Sequence, residues 1–412
     1  MLKVRLKPAA GVVLVASLSR LALASPEVSP AGKWRWARET AADVQVLPYL
    51  QGYRPARDLP RVVERDPGAA YSGLNLYVSG HAAEAVLMDM HGQTLHRWRY
   101  PLRRLWPELA GDPNMAKLEY WRRARLLPDG SLLAIYEGLG LVKLDARSRV
   151  VWAYRGGIHH DLDVTADGSI WTLEREGAGG ALADYAVAFD AAGRPRRKVS
   201  ILECFARSPW APLLRRMPAA GDLLHTNTLE VLDGRFAERD PAFRKGNLLV
   251  SVLKLDALAV LDPDRRTVVW ARTGSWRRQH QPAFLDDGNL LLFDNLGAGP
   301  GRSRVLEIDP RTARTVWQYG GGRNDDLYSK TLGSCQRLPN GNTLITESEN
   351  GRALEVARDG AVVWEFNSPH RAGRDGELVA SLFEVVRLPP DFPFRGEGAR
   401  AAPAPRAEAG RP

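Results

Sequence analysis

Apolar positions along this chain fall into short runs broken by Asp-Gly, Asn-Gly or Asp-Pro pairs, and one two-part pattern returns several times. The first part is an apolar run, a turn and a second run: RLLPDGSLLAIY (125–136), DVTADGSIWTL (163–173), FLDDGNLLLFDN (284–295) and RLPNGNTLITES (337–348). The second part ends in Trp: LVKLDARSRVVWAY (141–154), LAVLDPDRRTVVWAR (258–272), VLEIDPRTARTVWQY (305–319) and LEVARDGAVVWEF (354–366). Short runs bounded by turn dipeptides are strands joined as hairpins. Trp270, Trp317 and Trp364 are each 47 residues apart. Four strands per repeat at such a period predict the blades of a β-propeller.

Weaker copies extend the series. Residues 74–100 read as an N-terminal blade, and 246–262 supply the inner strands of the blade ending at Trp270. The count comes to six blades between about residues 74 and 370, and LVASLFEVVRL (378–388) is placed to return, complete an early blade and close the ring. Segments 101–121 and 201–222 have helix-like apolar spacing and Pro breaks, and read as loops carrying short helices. The expected architecture is therefore all-β, a six-bladed β-propeller over residues 71–392 with short helical insertions. A lead-in segment (25–70) precedes it, and an Ala- and Pro-rich tail (393–412) expected to be disordered follows.

With 412 residues, 44% hydrophobic, the chain has ample core material, and its 2 Cys exclude a disulfide-stapled scaffold. Cys204 and Cys335 read as two small buried hydrophobes rather than a bridge. The net charge of +9 raises nucleic acid as a partner until its placement is examined. Lys3, Arg5 and Lys7 precede an apolar stretch (Ala9–Leu18) and the small-residue pattern Ala22-Leu23-Ala24, the layout of a secretory signal over 1–24. That stretch is too short to span a membrane and Arg20 interrupts it, so an exported, periplasmic protein is expected, membrane-bound only if the segment is retained. The tail carries four Arg against two Glu, and no run of five like charges occurs anywhere. The basic balance is thus mostly leader and tail, and no nucleic-acid partner is expected. The oligomeric state is left open.

Three of the 8 His residues hold one place in consecutive repeats: His160 in GGIHHDLDVTADG, His225 in GDLLHTNTLEVLDG and His280 in RRQHQPAFLDDG. Each lies shortly before its unit's turn, near the start of an innermost strand, so the three imidazoles should converge at the mouth of the central channel. Together with Asn227 they suit either metal ligation or nucleophilic catalysis with proton transfer. His159 should point away from His160 if that segment is extended. His81, His91, His96 and His370 fall on turns or blade edges and read as structural. Glu347 and Glu349 read as a solvated hairpin, and GAGPG (297–301) opens no helix and so lacks the context of a phosphate loop.

From about Leu47 to Arg387 the chain resembles the arylsulfotransferases, through AYSGLNLYVSG, LMDMHGQTLHRW, HHDLDV, LLHTNTLEVLDG, QHQPAFLDDGNLLLFDN and RLPNGNTLITESENGRALEV. The resemblance implies an exported six-bladed propeller that moves a sulfuryl group from an aryl sulfate to a phenol without a nucleotide donor, cofactor or metal. It implies that His280 is transiently sulfurylated, that His225 and Asn227 contact the sulfuryl oxygens, and that His160 exchanges a proton with the leaving and accepting oxygens. One departure stands out: where that family carries a strand Arg, this chain has Leu253. Lys254 replaces it only if a bulge shifts the strand by one; Arg277 or Arg278 is another source of charge. The alternatives are a non-catalytic propeller that binds a ligand or protein, and a His-ligated metal site.

Overall fold

The computed structural model describes residues 53–109, 118–322 and 326–394; the leader, most of the lead-in segment and the tail beyond residue 394 lie outside the described residues. Six sheets of four or more strands are built from the repeat. Sheet I runs from Leu382–Leu388 through Leu74–Ser79 and Glu84–Met88 to Thr94–Arg99, and sheet II from Trp121–Leu126 to Val150–Arg155. Sheet III begins at Ile158–Val164, sheet IV at Thr226–Val231, sheet V at His280–Phe284 and sheet VI at Ser334–Arg337. The first strand of each sheet touches the first strands of the next and the previous one, and VI returns to I. The sheets therefore stand around a common axis as in a β-propeller. Leu382–Leu388 pairs antiparallel with Leu74–Ser79, while Val62–Glu64 adds a fifth strand to sheet VI. Both ends of the described chain thus cross the seam between the first and last sheets.

The repeated turn residues have a local task. In the outer hairpins the Asp carboxylate caps its own turn: Asp145 accepts from the amides of Arg147 (2.9 Å) and Arg149 (2.8 Å), and Asp190 from Ala192 and Arg194. The inner hairpins use Asp-Gly or Asn-Gly, with Gly130, Gly168, Gly288 and Gly341 all at positive φ, a region costly to other residues.

Trp317 and Trp364 of the 47-residue period, and Trp152, make contacts between sheets. Trp152, Trp317 and Trp364 each donate the indole N–H to a turn carbonyl of the following sheet, at Ala191 (3.1 Å), Arg358 (2.9 Å) and Met90 (2.9 Å). His96 does the same to Ala146 (2.8 Å), Arg197 to Pro263 and Arg272 to Arg311. Every outer strand thus holds the outer turn of its neighbour around the whole ring. Trp364 is fully buried, so Trp364→Ala removes a large packed side chain as well as this clasp. It should lower unfolding stability by about 3–5 kcal/mol. Trp317→Ala, at the half-exposed equivalent, should cost less; urea unfolding of both variants checks the order.

Ile201–Ala206 in the later insertion is helical, with Ser200 accepting the Glu203 amide at its N-terminus, and Ala211–Arg216 is a 3-10 turn. In the earlier insertion Leu102–Leu105 and Pro107–Leu109 are short helical turns, and 110–117 lies outside the described residues. Cys204 and Cys335 are free and buried in different apolar clusters. Glu347 and Glu349 depart from their expected solvated hairpin. Both are buried: Glu347 takes Arg352 Nε (2.6 Å) and the Tyr328 amide (2.7 Å), and Glu349 takes Thr331 Oγ1 (2.8 Å).

Candidate active site

The innermost strands share an irregularity at their starts. Register slips between Trp121 and Arg123, His159 and Leu162, Thr226 and Thr228, His280 and Ala283, and Leu382 and Glu384. The extra residues are Arg122 in sheet II, His160 and Asp161 in III, Asn227 in IV, and Gln281 or Pro282 in V. His160, His225, Arg278 and Gln281 have φ of +50 to +56°, uncommon for residues with a Cβ. A bulge abolishes strict alternation, so neighbours in sequence can face one site. This overturns the expectation for His159: its Nδ1 lies 2.8 Å from His160 Nδ1 instead of pointing away.

The bulges bring His160 and His225 together, with ring centroids 4.9 Å apart and planes at 78°. The charge of His225 is also felt at His280: burial pushes the His280 pKa down to about 3, and Arg122 and His225 add to the shift. His160 is held well below its usual value by burial, then by His225, His159, Arg122 and Arg175. All three histidines are at most 5% exposed, so they stand in a largely dry centre.

Each imidazole is oriented through Nδ1. His280 Nδ1 is 2.8 Å from Asn295 Oδ1 and 3.0 Å from the Arg278 carbonyl. The Asn295 amide nitrogen donates to the carbonyls of Ser329 (2.8 Å) and Leu332 (2.7 Å), which settles that Oδ1 faces the ring. Both neighbours of Nδ1 are acceptors, so Nδ1 carries the proton and Nε2 keeps its lone pair. His225 Nδ1 bonds Asp222 Oδ2, and Asp222 in turn lies 3.3 Å from Arg175 Nη2. His160 Nδ1 is 3.3 Å from Glu137 Oε1, while His159 Nε2 is 3.4 Å from Asp184 Oδ1, which also takes Arg175 Nε at 2.8 Å. Burial alone would raise Asp184, but Arg175 and His159 hold it well below the carboxylate range.

The buried Arg123 ties the inner strands together. It bonds Gln281 Oε1 at 2.6 Å across the ring, lies 3.1 Å from Asp161 Oδ1 and pairs with Glu384. Four inner strands meet on that one guanidinium.

The remaining sequence-derived candidates land elsewhere. Asn227 donates an amide N–H to the Gln279 carbonyl (2.9 Å) and accepts from Thr228 Oγ1. It thereby holds the segment that carries His280. The strand expected to present Leu253 or Lys254 ends at Val252; Leu253–Leu255 is a 3-10 turn and Lys254 is exposed. Arg277 and Arg278 are exposed too, and it is the backbone of Arg278 that meets His280. The cation missed in the sequence is Arg122, 3% exposed, stacked 5.3 Å from the Phe383 ring and felt at both His160 and His280. Its only signal was its place at the start of an inner strand, in line with the histidines.

A cleft of about 220 Å³ between Phe236, Phe243 and Arg311 lies at the other end of the strands, away from the histidines.

The buried imidazoles have a consequence for stability. His280 is near 3 when folded and near 6.5 when unfolded, so between these values the unfolded chain binds more protons. The sign follows: stability is full above about pH 6.5 and falls as pH drops toward 3. The urea midpoint should decline steadily from pH 7 to pH 4, and His280→Asn should flatten part of that slope.

The fold and the site together define an all-β propeller with an oriented histidine cluster at the entry of its inner strands. Residues 198–369 match the family model described as Arylsulfotransferase (ASST), which supports the arylsulfotransferase family for this chain. Among solved structures, a protein of unknown function from Bacteroides caccae is similar in fold, at 13% identity and TM-score 0.51 over 76% of this chain and 98% of that one. Weaker likenesses are a Streptogramin B lyase structure (11% identity, TM-score 0.45, 82% of this chain and 99% of that one) and the WD40 beta propeller domain of Doa1 (13%, 0.41, 82% and 96%). No curated protein matches.

Proposed function

We propose that this exported protein is a sulfotransferase, and that the histidine cluster at the mouth of a six-bladed ring moves a sulfuryl group from an aryl sulfate to a phenol. The observation that carries this reading is His280: buried, neutral, and oriented by Asn295 so that Nε2 is a nucleophilic lone pair. The match of residues 198–369 to the arylsulfotransferase family model supports the same class of chemistry.

In the first displacement His280 Nε2 attacks sulfur, the bond from sulfur to the aryl oxygen breaks, and the phenolate takes a proton. In the second, the acceptor oxygen attacks sulfur, the N–S bond breaks and the acceptor's proton returns to the same group. His225 suits that exchange best, because its Nδ1 bonds the Asp222 carboxylate, which fixes the orientation of the ring. This differs from the sequence expectation, which gave the proton to His160; the buried, neutral His160 lacks an equally strong partner for its charged form. Arg122 supplies the charge for the sulfuryl oxygens that Leu253 does not.

The direct test mixes the protein with a chromogenic aryl sulfate, with and without a phenol. Transfer to the phenol, and one sulfuryl group on the His280 peptide when the phenol is omitted, are the expected results. Failure to see either with a range of aryl sulfates overturns the reading.

A further inference from the structure

A second cluster, unused by this chemistry, sits where the ring closes. His81 lies in the turn between Leu74–Ser79 and Glu84–Met88, and His370 follows Val362–Asn367, the outer strand of sheet VI in the repeat. Their rings lie face to face, with centroids 3.3 Å apart and planes at 7°. Glu84 Oε1 is 3.3 Å from His81 Nε2, and one ligand atom from each of the three residues lies within 4.8 Å of the others. The closing strand is adjacent: the Gly80 amide bonds the Ser381 carbonyl and the Ala380 amide bonds that of His370, both at 2.9 Å.

We propose that His81, Glu84 and His370 bind one divalent transition ion of the zinc, cobalt or nickel type, which fastens the first sheet to the last. Two imidazoles and one carboxylate suit these borderline ions better than Mg²⁺ or Ca²⁺, which favour oxygen donors. The 3.3 Å between His81 Nε2 and Glu84 Oε1 is close to the edge of a tetrahedron with bonds of about 2.1 Å. Both rings have a hydroxyl in place to orient them: Ser79 Oγ is 2.5 Å from His81 Nδ1 and Tyr77 Oη is 3.0 Å from His370 Nε2. Such outer partners, accepting from the nitrogen that does not ligate, fix which nitrogen faces the ion. Arg97 Nη1 also holds Glu84 Oε1 at 2.6 Å, and its charge keeps the affinity moderate. Coordination requires one ring to tilt out of the stack so that the two in-plane lone pairs meet at one point. The ligands are 289 residues apart at the ends of the series, so an ion there crosslinks the seam and stabilises the folded form by mass action.

The test uses the full chain without a His-tag, stripped with chelator and titrated with Zn²⁺ or Co²⁺ at neutral pH. One ion per chain, a tetrahedral Co²⁺ absorption band and a rise of several degrees in the thermal midpoint with Zn²⁺ are expected. His370→Ala and His81→Asn should weaken binding at least about 100-fold and erase the midpoint shift. His280→Ala and His160→Ala should leave both intact, which separates this site from the sulfuryl-transfer centre. No binding by the wild type, binding retained in His370→Ala, or binding lost in His160→Ala overturns the proposal.

Discussion

His280→Ala is expected to abolish sulfuryl transfer, with kcat lower by at least about 10⁴-fold, because in the proposed mechanism its Nε2 forms the covalent intermediate. The effect should fall on kcat, since the oriented lone pair acts in the bond-making step and contributes little to holding substrate. Asn295→Asp sharpens the test. A carboxylate in place of the amide oxygen would stabilise the imidazolium and raise the His280 pKa from about 3. The wild type should lose no activity through His280 titration until well below pH 5, whereas the acid limb of Asn295→Asp should move upward. A profile unchanged by that substitution, or a His280→Ala variant with wild-type turnover, would remove His280 from the mechanism.

Arg122→Ala is the second large expected effect. Charge accumulates on the sulfuryl oxygens and the leaving phenolate in the transition state, and a buried guanidinium aimed at them is worth far more than an exposed one. Loss of one such donor costs about 10²–10³-fold in kcat. Arg122→Lys should recover part of the loss, being a point charge without the planar fork. Neighbouring Arg123 predicts a different phenotype. Its guanidinium is committed to Asp161, Glu384 and Gln281, so Arg123→Ala should lower the unfolding midpoint and loosen the inner strands it joins. Steady-state kinetics beside thermal unfolding for the two variants distinguishes a residue that meets substrate from one that holds the scaffold.

The parts of this protein legible in the sequence are those set by local physics. A turn such as Asp129-Gly130 or Asp145 forms from its own four or five residues, and the Asp carboxylate finds its amide partners without help from distant chain. The Trp period was equally legible, although the indole bond that Trp317 and Trp364 make to the next sheet's turn appears only once the sheets stand side by side. His160, His225 and His280 could be singled out because equivalent positions in a repeat must converge on one axis.

What the chain could not disclose by itself depends on offsets of one residue and on pairs far apart. Slipped register at the start of the inner strands of sheets II and III brings His159 Nδ1 against His160 and makes Arg122 a bulge residue, and a pattern of period two contains no trace of either. The same change ends the strand at Val252, so the position expected to carry charge does not exist as a strand position at all. Asn295 faces His280 because two adjacent strands of sheet V pair there, and its amide orientation is decided by carbonyls at Ser329 and Leu332. His81 and His370, read as structural residues on separate edges, meet only because the last strand returns to the first sheet. The sequence alone therefore determined the repeat, the turns and which imidazoles share a centre, all consequences of local propensity and periodicity. The tertiary structure decided the tautomer of His280, the burial of Arg122 and the contacts at the seam, because each depends on distances between residues that the chain holds far apart.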